Sequence, residues 1–203
     1  MKKLLNKIVD FYKKISDIAT PTAVLAIICV VVTLALSSAN ALTYKKIEYL
    51  AIQAKNEAMS KLIEADEYHE LVATTSLGDI TYNAAIKNGE TAGCIFTTSA
   101  KGYGGDIQVM TAVNMEGNII AIQILDASGE TPGLGQNVTK QTFFGQFNGL
   151  KNDISVIKGG SANPENNEIN AVTGATISSK AVTSAVNQAL QYASEIIAKG
   201  DKS

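Results

Sequence analysis

The sequence predicts an α+β protein in which one N-terminal transmembrane helix precedes a small antiparallel sheet packed with helices. Three observations carry that prediction. Residues 18–44 contain no charged side chain. Two pairs of strand-like runs in the middle of the chain are joined by Asn-Gly and Glu-Gly-Asn turns. Near the C-terminus, small apolar residues recur at the spacing of one helical face.

The 203 residues leave room for one medium domain and an anchor. We divide them into a cytoplasmic tail (1–17), a transmembrane helix (18–43), a juxtamembrane helix and linker (44–68) and an extracytoplasmic domain (69–203). About 20 apolar residues rising ~1.5 Å each cross a hydrocarbon layer of ~30 Å. A buried core helix rarely stays uncharged for so long, so a membrane span is the better reading. Ala39-Asn40-Ala41 offers a small-residue cleavage site of the kind that ends a signal peptide. The long flank before the apolar run argues against a leader. Cys29 follows Ile28, too large a residue for the usual lipoprotein cleavage pattern.

After the span, Ile47, Leu50, Ala54, Ala58 and Leu62 fall three or four apart, extending a helix over about 43–64 with Lys and Glu opposite. Residues 80–86 and 91–98 flank Asn88-Gly89 and read as a β-hairpin. Ile107, Val109, Thr111 and Val113 alternate, and Glu116-Gly117-Asn118 turns the chain into a strand over 119–125. Residues 159–168, rich in Gly, Ser, Asn, Pro and Glu, form a loop. From Ala181 the pairs Ala181/Val182, Ala185/Val186 and Ala189/Leu190, then Ala193 and Ile196/Ile197, define the buried face of a last helix.

Composition removes several classes of function. All 17 basic residues are Lys. Setting aside the five Lys and two Asp before the span leaves 12 Lys against 17 acidic residues, a net charge of about −5. A mildly acidic domain without Arg or Trp is a poor nucleic-acid binder and lacks guanidinium forks for phosphate. His69 is the single His, which argues against a metal site, and it reads as a surface residue near Asp66 and Glu67. Cys94 lies in a strand-like run and Cys29 in the span, so no disulfide is expected. Lys2, Lys3, Lys7, Lys13 and Lys14 precede the span while Lys45, Lys46, Lys55 and Lys61 follow it, a slight lean toward the N-terminus inside.

The chemistry concentrates in Asn170-Ala171-Val172-Thr173-Gly174-Ala175-Thr176-Ile177-Ser178-Ser179, which opens the last helix. Thr173, Ser178 and Ser179 are candidate caps, and Gly174 permits close approach of the backbone. Unpaired N–H groups and a positive dipole end suit a phosphate there. On these residues alone, a plain turn and cap is the favoured reading, since short motifs are weak warrants.

Thr173-Gly174-Ala175-Thr176-Ile177-Ser178-Ser179 before an Ala/Val-rich helix resembles the flavinylation motif of FMN-binding domains. In that motif the last Thr is esterified to the FMN phosphate. Lys101-Gly102-Tyr103-Gly104-Gly105 and Glu130-Thr131-Pro132-Gly133-Leu134-Gly135 match the same family in the expected order. With the single span, the chain resembles the G subunit of Rnf electron-transport complexes over roughly residues 20 to 198. That family is related to the C subunit of the Na⁺-translocating NADH:quinone reductase. It usually has Asp six residues before the acceptor. Asn170 keeps a side-chain acceptor of similar length but loses the charge.

The resemblance implies one covalent FMN on Thr176, with Thr173, Gly174 and Ala175 beside it. It places Glu130, Thr131, Gly133 and Leu134 against the isoalloxazine, with Leu134 on a face. Tyr103 packs near the ring or fills core, and Gly104 lets the backbone approach. Glu130 hydrogen-bonds a flavin nitrogen or caps its own loop. Lys180, one turn beyond Thr176, faces the phosphate or solvent. Attachment implies a dedicated flavin transferase, since the chain shows no catalytic constellation of its own.

The implied function is that of an electron-carrier protein within an ion-translocating ferredoxin:NAD oxidoreductase. Its partners are the other membrane and peripheral subunits, and its place is the bacterial cytoplasmic (inner) membrane. The span carries no acid or base, so it does not itself conduct Na⁺ or H⁺. Alternatives are the equivalent component of the Na⁺-pumping NADH:quinone reductase and an anchored non-redox adaptor whose Thr-Gly-Ala-Thr is only a cap.

Overall fold

The computed structural model describes the backbone of residues 2–200, and side chains from residue 19 onward except those of 45, 48, 51 and 200. The N-terminal lysines on which the charge asymmetry rests therefore lie outside the described side chains. The chain forms two compact units, one ending at Ala54 and the other running from Lys55. Helix α1 is Lys2–Leu62. Within the first unit, Ala19–Tyr44 has a mean hydropathy of 2.4, and it is long and apolar enough to cross a membrane.

The second unit is built on a five-stranded antiparallel meander: β1 (Glu67–Thr75), β2 (Gly78–Lys87), β3 (Glu90–Lys101), β4 (Asp106–Asn114) and β5 (Ile119–Asp126), in that spatial order. Asn88 and Gly89 both take positive φ, 54° and 82°. This is the two-residue turn whose twist matches the strands it joins, and it sets Lys87 opposite Glu90. At the next hairpin, Asn114 Oδ1 accepts from the N–H groups of Glu116 and Asn118, which closes the Glu-Gly-Asn turn.

Each face of the sheet is covered by a helix. On one, Ala58, Met59 and Leu62 of α1 and the following Ile63 pack with Ala85, Ile95, Met110 and Ala112. Ala58 and Leu62, the members of the expected apolar stripe that lie in this unit, are both buried. On the other face lies the last helix (Thr176–Gly200), whose Val182, Ala185, Val186, Ala189 and Ala193 are essentially fully buried, as their spacing predicts. They join Phe96, Val109, Val113 and Ile122 in the main core. Each large apolar side chain buried there contributes about 1.5–3 kcal/mol.

Between β5 and that last helix the chain makes a short helix α2 (Gln141–Phe144), and a parallel pair β6 (Ser155–Ile157) and β7 (Glu168–Asn170). The last helix is therefore α3. Phe143 and Phe147, 5.8 Å apart and edge to face, plug this end of the core. The sequence pattern does not announce the short β6 and β7, nor does it announce β1. Strand β1 lies at the sheet edge and is exposed on both faces for most of its length, so no alternation marks it. His69 sits there, exposed, with its Nε2 2.9 Å from Glu67 Oε2.

Candidate functional site

Three separated segments converge where the end of β3, the loop after β5 and the start of α3 meet. Tyr103, Glu130, Thr131, Leu134, Gly135, Gly174, Ala175, Thr176, Ile177 and Ser178 line a cleft of about 480 Å³. That size falls within the roughly 300–1,000 Å³ of small-molecule sites. Tyr103, Leu134 and Ile177 expose apolar surface at its rim, at 72%, 42% and 54% of their full accessibility.

Glu130 joins the three segments. It is 2% exposed. Its Oε1 accepts from the backbone N–H groups of Tyr103 (2.7 Å) and Gly104 (3.1 Å), while its Oε2 accepts from the Ser178 hydroxyl (2.6 Å). Burial alone raises its pKa. The hydrogen bonds from Ser178, Gly104, Tyr103 and Gly105 outweigh that and hold the carboxyl below its ordinary value of 4.5. Both oxygens are thus engaged by the protein, which favours the loop-anchoring role over a hydrogen bond to a flavin nitrogen.

Small residues make this convergence possible. A Cβ on Gly135 would lie 2.9 Å from Ser178 Oγ and closer still to Glu130 Oε2. One on Gly104 would overlap the Gly129 carbonyl. Gly174 has φ +77°, and a Cβ there would come within 2.8 Å of Leu134 Cδ1, so the loop after β5 rests directly on the turn before α3.

Helix α3 begins at Thr176. Of the three cap candidates, Ser179 does the local work: its Oγ accepts from Val172 N–H and donates to the Ala175 carbonyl. Ser178 is turned inward to Glu130 instead, and Thr173 is exposed outside the helix. Thr176 is half-buried at the cleft mouth, and its hydroxyl makes no hydrogen bond among the described residues.

Of the residues singled out from sequence, Tyr103, Glu130, Thr131, Leu134, Gly174, Ala175 and Thr176 share this cleft. Gly104 stands behind it as a donor to Glu130. Gly133, at φ +74°, shapes the loop and offers its carbonyl to Asn137. Thr173 lines a neighbouring groove with Asn170, Gln146 and Lys140. There Asn170 Oδ1 accepts from Ala162 N–H, and Gln146 bridges to the Asn170 backbone. Lys180 is exposed and does not line the cleft.

The FMN-binding domain family matches residues 102–191, a range containing all three converging segments. The G subunit of the proton-translocating ferredoxin:NAD(+) oxidoreductase complex of Clostridium ljungdahlii is 37% identical over 141 residues, 69% of this chain and 72% of that one. The G subunit of the Na(+)-translocating complex of Acetobacterium woodii is 33% identical over 83% of this chain and 87% of that one. The chain belongs to the G-subunit family of ion-translocating ferredoxin:NAD(+) oxidoreductase complexes. It also shares its fold with the crystal structure of NqrC from Shewanella oneidensis, with a TM-score of 0.53 and 19% identity over 68% of this chain and 73% of that one.

Ser178, Gly135 and Ile177 belong to the cleft of this G-subunit chain, yet the sequence pattern does not single them out for flavin contact. Ser178 carried a usable signal. It precedes Ala181 and Val182 by three and four residues, on the buried face of α3, and a buried hydroxyl needs a partner.

Proposed function

We propose that this chain is a membrane-anchored electron carrier of an ion-translocating ferredoxin:NAD(+) oxidoreductase complex, holding one FMN by a phosphoester to Thr176. The observation that supports this most directly is the placement of Thr176. Its hydroxyl is free of hydrogen bonds among the described residues, on the first residue of α3, at the mouth of a cleft with an apolar rim. The cleft residues fit a flavin, with Tyr103, Leu134 and Ile177 offering apolar surface for a ring. FMN bound there supplies reversible one- and two-electron chemistry, and its surroundings set the potential.

For attachment, the Thr176 Oγ attacks the phosphorus on the riboflavin side of FAD. The Oγ–P bond forms as the P–O bond to the adenylate breaks, AMP leaves, and the hydroxyl proton passes to a base. Glu130 is a poor candidate for that base, being ionised but committed to Ser178, Tyr103 and Gly104. A separate flavin transferase supplies the base and metal. Because the ester lies at the phosphate end, the isoalloxazine keeps its ordinary redox chemistry.

The anchor Ala19–Tyr44 crosses the bacterial cytoplasmic membrane once, with the N-terminus inside and the flavin domain outside the cytoplasm. Ferredoxin and NAD bind other subunits, and the anchor packs against membrane partners. Intact mass and peptide mapping of the chain from its native membrane test the proposal. One FMN increment on the peptide containing Thr176 is expected, and Thr176→Ala loses it while its melting temperature stays put. A peptide covering 171–180 found unmodified overturns the assignment.

A further inference from the structure

We infer that this cleft does not recognise a flavin by its phosphate, so that the ester to Thr176 is what retains FMN; the inference rests on the reading that Thr176 carries it. None of the described residues lining the cleft is cationic. Its one carboxylate, Glu130, is buried and tied to Ser178, the third residue of α3. A fixed negative charge of the protein's own therefore already sits at the helix end that would otherwise attract an anion.

The Lys residues nearest in sequence do not offset it. Lys101 is exposed at the end of β3, and Lys180 is exposed on α3. Lys140 lines the neighbouring groove. The lowered pKa of Glu130 keeps this charge in place at neutral pH. Meanwhile Tyr103, Leu134 and Ile177 offer apolar contact to a ring. The cleft is complementary to the isoalloxazine end of the cofactor and not to its phosphate end.

The chemistry of the linkage fits this division. A free phosphomonoester carries about −1.5 to −2 at pH 7, whereas a diester to Thr176 carries a single negative charge. Attachment therefore lowers the charge brought near Glu130 and removes dissociation altogether.

The experiment uses the full-length Thr176→Ala chain in detergent, titrated with riboflavin and with FMN and read by quenching of flavin fluorescence. Detectable riboflavin binding, with FMN binding no tighter, is expected; failure of both to bind up to their solubility overturns the complementarity to the ring. Adding Glu130→Gln to that background should tighten FMN relative to riboflavin by a few-fold. Adding Lys180→Ala should leave the ratio unchanged. FMN binding tenfold or more tighter than riboflavin overturns the inference. So does Thr176→Ala protein purifying with stoichiometric FMN, or a tenfold loss of FMN affinity on Lys180→Ala. Peptide mapping of the wild-type chain separately reports whether Thr176 is the acceptor, so the two failures are distinguishable.

Discussion

The Ser178 hydroxyl donates a 2.6 Å hydrogen bond to Glu130 Oε2 across 48 positions of sequence. Through it, the start of α3 is held to the loop that follows β5. The other oxygen of the same carboxylate holds the turn after β3. One buried side chain thus gathers the three segments that form the cleft.

Glu130→Gln should destabilise the domain by about 1–2 kcal/mol at pH 7. The amide oxygen can still accept from Tyr103 and Gly104, and the Ser178 hydroxyl can turn to accept from the amide, but the charge assistance is gone. Glu130→Ala should cost about 2–4 kcal/mol, because it leaves buried donors unpaired. The folded-state pKa of Glu130 lies below 4.5. Its charge-dependent contribution is therefore present above about pH 4.5 and lost as pH falls through the lower folded value. Urea unfolding at a series of pH values should show the gap between wild type and Glu130→Gln narrowing below that point.

Gly174→Ala should destabilise by about 1–2 kcal/mol, since a side chain at φ +77° is strained and this one also presses on Leu134. The same change displaces the turn that presents Thr176. Flavinylation yield, measured by intact mass, should fall more steeply than the melting temperature alone would suggest.

Thr111→Val should raise stability by about 1 kcal/mol. Thr111 is fully buried in β4, and its hydroxyl has no hydrogen-bond partner among the described residues. It lies between Phe96 and Ile122 on the flanking strands. A buried hydroxyl without a partner carries a desolvation penalty of about 1–3 kcal/mol, which a methyl of similar shape removes. A higher urea midpoint at unchanged slope is the expected readout.

Cys94 should resist alkylation in the folded protein at pH 8. Burial pushes its thiol up to about 11, so little thiolate is present and access is poor. Iodoacetamide followed by peptide mapping should find Cys94 modified only after denaturation.

Legibility in the sequence followed the physics of each element. The hairpin β2–β3 was legible because Asn88-Gly89 suits a turn with two positive φ values, and α3 because its apolar residues recur every three or four positions. Strand β1 left no mark, because an edge strand exposed on both faces needs no alternation. Glu130 showed as a candidate without a decided role. Sequence alone leaves a carboxylate free to contact a ligand or the protein, and only the donors gathered around it in the fold distinguish the two.

Local chemistry along the chain thus determined the strands β2 to β5, the apolar stretch, the last helix and the presence of a hydroxyl at its start. Each depends on residues a few positions apart, whose spacing reports directly on backbone geometry. The tertiary structure alone decided that Ser178 faces inward, that Gly135 must lack a side chain, and that Tyr103, Leu134 and Thr176 border one cleft. Those relationships join segments far apart in the chain, and they exist only once sheet and helix have packed and brought the partners of a buried carboxylate within hydrogen-bonding distance.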